Sequence, residues 1–186
     1  MVDDDFSERS LAGRQIRAGN WEIHDGIALA THDASLDRSS QKHGPKLFYD
    51  MAATNGAISI EMKPSQADSF VITLGEEGLT HVLRVRVNVD GHGDDSEPSS
   101  IMTFTEKEPG QRKAQTIPLL SEGMTNLRAD QWNRIRILCL HRKAVVAIND
   151  EVWTVFHDRL DQFKPIAKIE LQHGSIALRQ VHVSTW

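Results

Sequence analysis

The sequence is short of several things at once. It has one cysteine, Cys139, in 186 residues, so no internal disulfide can form and stability must come from packing. That cysteine lies inside the apolar run Ile135-Arg136-Ile137-Leu138-Cys139-Leu140 and reads as a buried small hydrophobe rather than a reactive thiolate, which needs an exposed, electropositive setting. No apolar run approaches the roughly 18 residues of a membrane-spanning helix. There is no excess of positive charge: the formal net charge is −5, which offers no basic footprint for nucleic acid. The opening Met1-Val2-Asp3-Asp4-Asp5 is acidic, unlike a signal peptide. The expected compartment is cytoplasmic, or outside the cell if a leader precedes this sequence. Neither nucleic acid nor membrane is expected as a partner.

Catalytic signatures are also missing. The chain has no Gly-x-Ser-x-Gly, no phosphate loop of the Walker type and no His-Glu-x-x-His. Glycosidases need a pair of carboxyls about 5–9.5 Å apart, and no strand carries alternating acids: Ile58-Ser59-Ile60-Glu61-Met62-Lys63 holds one. The loop Asp90-Gly91-His92-Gly93-Asp94-Asp95-Ser96-Glu97 is rich in oxygen donors. It lacks the closing Glu of a helix-loop-helix calcium site and reads as a solvated acidic turn. No metal and no cofactor is expected. Nine histidines are present, of which His24, His81, His173 and His182 are candidates to converge in space.

What is there is alternation. Leu83, Val85, Val87 and Val89 oppose Arg84, Arg86 and Asn88. Ile135, Ile137 and Cys139 oppose Arg134 and Arg136, and Ile58, Ile60 and Met62 oppose Ser59, Glu61 and Lys63. A period of two marks strands with one buried face. The same reading gives thirteen strands between residues 20 and 184, with Asp25-Gly26, Asn55-Gly56, Asn149-Asp150 and His173-Gly174 as turns that need positive φ. Residues 1–18 read as a polar lead-in with a short helical turn over 7–17, and 19–186 as one β-sandwich domain. Short helices are expected over 122–130 and 157–163, the latter with Leu160 and Phe163 facing inward. Tight turns without sustained helix imply an all-β sandwich or barrel.

The outward faces then carry Glu61, Lys63, Arg84, Arg86, Arg134, Arg136, Lys168, Glu170, Gln172 and Arg179. Two readings fit: a cross-strand charge ladder, or a polar groove whose planar donors and acceptors suit sugar hydroxyls. Of the tryptophans, Trp21 and Trp132 open strands and are expected to pack under the sandwich edge. Trp153 is undecided, and Trp186 closes or frays the last strand.

Four stretches carry a resemblance. Trp21-Glu22-Ile23-His24-Asp25-Gly26-Ile27-Ala28-Leu29, Gln131-Trp132-Asn133-Arg134-Ile135-Arg136-Ile137, Val146-Ala147-Ile148-Asn149-Asp150 and Ile169-Glu170-Leu171-Gln172-His173-Gly174 through Val183 resemble, in order, motifs of the 3-keto-disaccharide hydrolase domain family. That family lies within the concanavalin A-like lectin/glucanase superfamily. The resemblance implies an antiparallel jelly-roll β-sandwich of a kind that binds or processes glycans. The family's "N-S-G" and "G-y-E" strands of the concave face fall between Phe70 and Val89. Here the chain reads Phe70-Val71-Ile72-Thr73-Leu74-Gly75 and His81-Val82-Leu83-Arg84-Val85-Arg86, so the resemblance carries the fold and not a catalytic set.

Candidate ligand-binding residues are Glu61, His81, Arg84, Arg86, Asn88 and Glu170, with a glycan or sugar as the expected partner. The first functional reading is a non-catalytic carbohydrate-binding or interaction module. The second is a diverged glycoside hydrolase acting on 3-keto-disaccharides or related glycans. The third is a structural domain that homodimerises through a sheet.

Overall fold

A computed structural model describes residues 1–7, 11–33, 44–75, 81–92, 98–105 and 114–186. They form two antiparallel sheets. The strands are β1 (Val2–Asp4), β2 (Arg14–Ala18), β3 (Asn20–His24), β4 (Ile27–Thr31), β5 (Lys46–Ala53), β6 (Gly56–Ser65), β7 (Ser69–Gly75) and β8 (His81–Asn88). They continue as β9 (Ser100–Phe104), β10 (Thr116–Leu120), β11 (Asn133–Leu140), β12 (Lys143–Ile148), β13 (Glu151–Phe156), β14 (Lys164–Gln172) and β15 (Ser175–Thr185). The first sheet runs β13-β12-β11-β6-β15-β4-β3, with β1 added alongside β15; the second runs β10-β9-β8-β7-β14-β5-β2. Among the described residues no helix is long and apolar enough to cross a membrane.

The expected alternation is what stacks the sheets. Leu83, Val85 and Val87 of the second sheet are fully buried, as are Ile60, Ile135 and Val146 of the first, and all belong to one core cluster. Each such side chain contributes about 1.5–3 kcal/mol relative to leaving it in water. Cys139 is buried in this cluster, and burial pushes its thiol up to about 11. Lys164 is fully buried beside it. Its ammonium is satisfied by three backbone carbonyls, Thr54 O at 2.6 Å, Leu160 O at 2.7 Å and Gln162 O at 2.8 Å, and burial lowers its pKa.

The N-terminal segment departs from expectation. In place of a helical turn, Arg14–Ala18 is an edge strand on β5 and Val2–Asp4 is a strand on β15. Asp4 explains the placement. Its carboxylate is buried and takes Arg14 Nη1 at 2.8 and 2.9 Å and the Tyr49 hydroxyl at 2.7 Å. Burial, then the Asp4 charge, push the Tyr49 phenol far above its ordinary value. Breaking a buried pair of this kind costs about 3–5 kcal/mol.

Three further expectations are corrected. The 122–130 segment holds no helix; it is irregular, and the fully buried Leu127 makes an isolated parallel bridge to Val89. The second short helix exists as a 3-10 turn over Asp158–Asp161 with Leu160 buried, but Phe163 is 58% exposed. Of the four turns, Asp25-Gly26 and His173-Gly174 adopt positive φ at both residues and Asn149 at one. At Asn55-Gly56 neither does. Gly56 is required there by close approach, since a Cβ would stand 2.5 Å from Met51 Cε and 2.7 Å from Ser184 O.

Candidate functional site

Register decides which polar side chains meet. On the outer face of the second sheet, antiparallel pairing aligns Lys46, Glu170, Val71, Arg86 and Ser100 in one row across β5, β14, β7, β8 and β9. The next row is Phe48, Lys168, Thr73, Arg84, Met102 and Pro118, reaching β10. A third row adds Gln172, Ser69 and Asn88. Residues directly opposite in adjacent strands stand about 4.5–5.5 Å apart at Cβ, so these rows form one continuous polar surface.

The surface is sunken. Val71 and Glu170 point away from the core, yet they are 0% and 1% exposed. They form the floor of a cleft. Glu170 Oε2 takes Lys168 Nζ at 3.0 Å. The Lys46 pKa is lowered, first by burial and then by the neighbouring Lys168 charge, against the pull of Glu170. His81 enters beside Phe104, edge to face at 5.0 Å. Burial first, then the Lys168 and Arg84 charges, lower its pKa to about 4, so the imidazole is neutral at neutral pH.

The buried polar atoms here without a hydrogen-bond partner among the described residues include Thr73 Oγ1, His81 Nδ1 and Arg84 Nε. Thr73 and Arg84 are direct cross-strand partners. Each such buried group costs about 1–3 kcal/mol while it goes unpaired, so native structures seldom keep three together without a use for them. Beyond Arg84 the cleft opens into a groove of about 390 Å³ lined by Arg84, Arg86, Pro98, Ser100, Met102, Thr116, Pro118 and Ser121.

Of the six residues singled out from sequence, His81, Arg84, Arg86, Asn88 and Glu170 stand on this face. Arg86 Nε donates to Asn88 Oδ1 at 3.3 Å. Glu170 was expected among solvated side chains; its position under the row of cations buries it. Glu61 lies elsewhere, on the outer face of the first sheet. There it accepts from Arg134 Nε at 3.0 Å and Arg179 Nε at 2.7 Å, and these bonds hold its carboxyl below the usual range. Arg179 reaches Glu61 because β15 bulges between Leu178 and Gln180. The same guanidinium stacks on Trp132 at 4.3 Å, so Trp132 packs on the outer face under an arginine rather than beneath the sandwich edge. Trp21 and Trp153 do pack against the core, and Trp186 is largely exposed.

The four histidines do not converge. His24 neighbours Asp25, His81 stands by Phe104, His173 contacts Asp68 and His32, and His182 neighbours Asp3. Among the described residues no three His, Cys, Asp or Glu side chains cluster as metal ligands. Residues 93–97 of the acidic turn lie outside the described residues. The apolar side chains exposed on the first sheet include Val152 and Phe156 of its edge strand β13.

Residue reasoning passed over Lys46 and Thr73 and did not join Lys168 to the set. The usable signal was the run Lys168-Ile169-Glu170-Leu171-Gln172, where three polar residues alternate with two apolar ones, placing Lys168 and Glu170 on one face.

Comparison with known proteins follows the geometry. The 3-keto-alpha-glucoside-1,2-lyase-like domain family matches residues 4–186. No curated protein sequence matches. Solved structures share the fold at low identity. A carbohydrate-binding module, CBM66, from Bacillus subtilis has a TM-score of 0.64 at 8% identity, covering 93% of this chain and 96% of its own. The Bacillus licheniformis β-glucanase has 0.63 at 9%, covering 100% and 98%. The CBM2 module of the evolved Dit protein of Lactobacillus casei BL23 phage J-1 has 0.65 at 13%, covering 100% and 96%. The chain is thus an antiparallel jelly-roll β-sandwich of the concanavalin A-like kind.

Proposed function

The chain belongs to the 3-keto-alpha-glucoside-1,2-lyase-like domain family, and from that membership and the chemistry of the cleft we propose that it is a carbohydrate-binding domain whose ligand lies across β14, β7 and β8. The observation that supports this reading is the pair of polar rows that register builds across β14, β7 and β8, with Lys168, Thr73 and Arg84 in one and Glu170 and Arg86 in the next. A sugar presents hydroxyls that both donate and accept. Arg84 donates only, the Thr73 hydroxyl does either, and neutral His81 does one or the other by tautomer. Glu170 supplies an acceptor whose charge Lys168 offsets. In these rows Glu170 is the single carboxylate among the described residues, which favours recognition over two-carboxylate glycoside hydrolysis.

A glycan array probed with this protein is expected to give saturable binding. Arg86→Ala should weaken it by about ten-fold to a hundred-fold, the scale of a charge-assisted hydrogen bond, with thermal stability retained. A folded protein that binds no glycan rejects the reading.

One observation favours a second reading, a diverged enzyme acting on 3-keto-disaccharides or related glycans. A carboxyl, Glu170, and a neutral imidazole, His81, share the cleft with Lys168 and Arg84. In that reading His81 takes the proton from the carbon between the keto group and the anomeric carbon while the cations hold the oxygen that gains charge; as that charge returns, the glycosidic C–O bond breaks and the departing sugar oxygen takes the proton back from His81. Incubation with a 3-keto-disaccharide should then release sugar, an ordinary disaccharide without the keto group should release none, and His81→Gln should abolish the release. No release with or without divalent metal ions removes this reading.

A further inference from the structure

The edges of the two sheets are not guarded alike. Strands β13 and β3 end the first sheet, and β10 and β2 end the second. A sheet edge offers backbone donors and acceptors to any passing strand, so native proteins blunt it with proline, charge or a bulge. β10 carries Pro118 and a register shift beside it. β2 carries Arg14, Arg17 and a shift between Ile16 and Ala18. β3 turns Asn20, Glu22 and His24 to solvent. Between Val152 and Phe156, β13 has no charge, no proline and an unbroken register with β12.

The hydrogen-bond phase of β13 is fixed. His157 N donates to Arg142 O at 2.9 Å, so in the antiparallel register of β12 and β13 residues 151, 153, 155 and 157 bond to β12. Val152, Thr154 and Phe156 turn their N–H and C=O groups the other way, off the edge of the sheet, where no backbone partner meets them among the described residues. Their side chains also stand clear of the core: Val152 is 62% exposed, Phe156 69%, and Thr154 is exposed between them. Exposed side chains and outward backbone groups thus belong to the same residues.

A second copy of this chain fits that edge in one register. Antiparallel self-pairing about Thr154 sets Thr154 against itself and Val152 against Phe156 of the other copy. All the outward residues are then matched, each pair exchanging both N–H···O=C bonds. Centring on Trp153 or Val155 instead would set Phe156 against Asp150 or Val152 against Asp158. Pairing about Thr154 covers apolar side chains with each other and places Glu151 opposite His157. His157 Nδ1 accepts from Arg159 N at 3.2 Å, which puts the proton of a neutral ring on Nε2 as a donor for that carboxylate. Asp158, next in line opposite Asp150, is matched by Arg142 at 3.1 Å.

We infer that β13 is a self-association edge through which two copies of this chain join their first sheets into one, about a two-fold axis at Thr154. That axis stands perpendicular to the joined sheet, so the two clefts, on the outer faces of the second sheets, open on the same side. A polymer of repeated ligand units then meets two clefts at once. That consequence rests on the carbohydrate-binding reading, and the pairing itself does not.

Sedimentation velocity over about 1–500 µM is expected to show a reversible monomer–dimer equilibrium with micromolar dissociation, the scale of a contact below standard interface size. Thr154→Lys, which sets two ammonium groups against each other on the axis, should weaken association at least about ten-fold. Its circular dichroism should match the parent, because Thr154 is exposed. Under mild oxidation Thr154→Cys should give a covalent dimer, since directly paired Cα atoms stand about 5.5 Å apart. Val152→Cys should not, because its two positions lie about 14 Å apart along the strands. The native Cys139 is buried and stays out of the reaction. A protein that remains monomeric across the range overturns the inference. So does a dimer that survives Thr154→Lys, or one in which Val152→Cys links as readily as Thr154→Cys. If Thr154→Lys fails to fold, the two cysteine variants decide alone.

Discussion

His81 shows how one side chain links the cleft to stability. Its imidazole is half-buried between cations, and its folded pKa is about 4 against an ordinary 6.5. Between those values the unfolded chain binds a proton that the folded chain refuses. The unfolded state therefore gains as pH falls from 6.5, and the loss is complete below about 4. Above 6.5 both states are neutral and the term vanishes. Urea unfolding should show His81→Gln losing less stability than the parent between pH 7 and pH 4.5, by on the order of 2 kcal/mol. Parallel pH profiles for the two proteins would mean that His81 is solvated and titrates normally.

At this scale the sequence was informative about direction and uninformative about depth. Arg84, Arg86 and Asn88 had to point away from Val85 and Val87, and they do. That Glu170 would be buried did not follow from alternation, because its burial comes from the cleft around it rather than from its own strand. Trp132 likewise lies under Arg179 only because a bulge in β15 turns that arginine outward.

Among the elements, the strands with a buried face were legible and those without one were not. Arg14–Ala18 is an edge strand with little burial on either side, so it has no apolar period to read. Val2–Asp4 buries an aspartate, which reads as polar although its ion pair with Arg14 belongs to the interior. The hairpin between β14 and β15 was legible as a turn, and its geometry sets its tolerance. Gly174 has φ +61, and a Cβ there would stand 2.2 Å from Gln66 O; Gly91 has φ +72 with nothing within 4 Å. Gly91→Ala should cost about 1–2 kcal/mol from backbone strain alone. Gly174→Ala should cost clearly more, because the clash with Gln66 adds to that strain. Thermal denaturation of the pair checks this, and equal losses would show that the hairpin shifts away from Gln66 freely.

The whole molecule holds what local pattern does not reach. Glu61 and Glu170 look alike in sequence, each one charged residue in an alternating strand, but β6 and β14 lie in different sheets. Sheet membership is fixed by pairings such as β14 with β5 and β6 with β15, which join segments more than a hundred residues apart. The cleft is therefore a product of topology, and the polarity of each strand only supplies its materials.

The pairing of β1 with β15 sets Val2 beside Val183. The polypeptide is thus almost a closed ring, joined on the sheet opposite the cleft. A short glycine bridge between the first and last strands, with new ends cut at the exposed His141–Arg142 bend, should give a permuted protein that folds and keeps its ligand affinity. The same adjacency lets an appended tag or tether leave from either end by way of the far sheet, so immobilising the protein through either should leave the cleft open to solution.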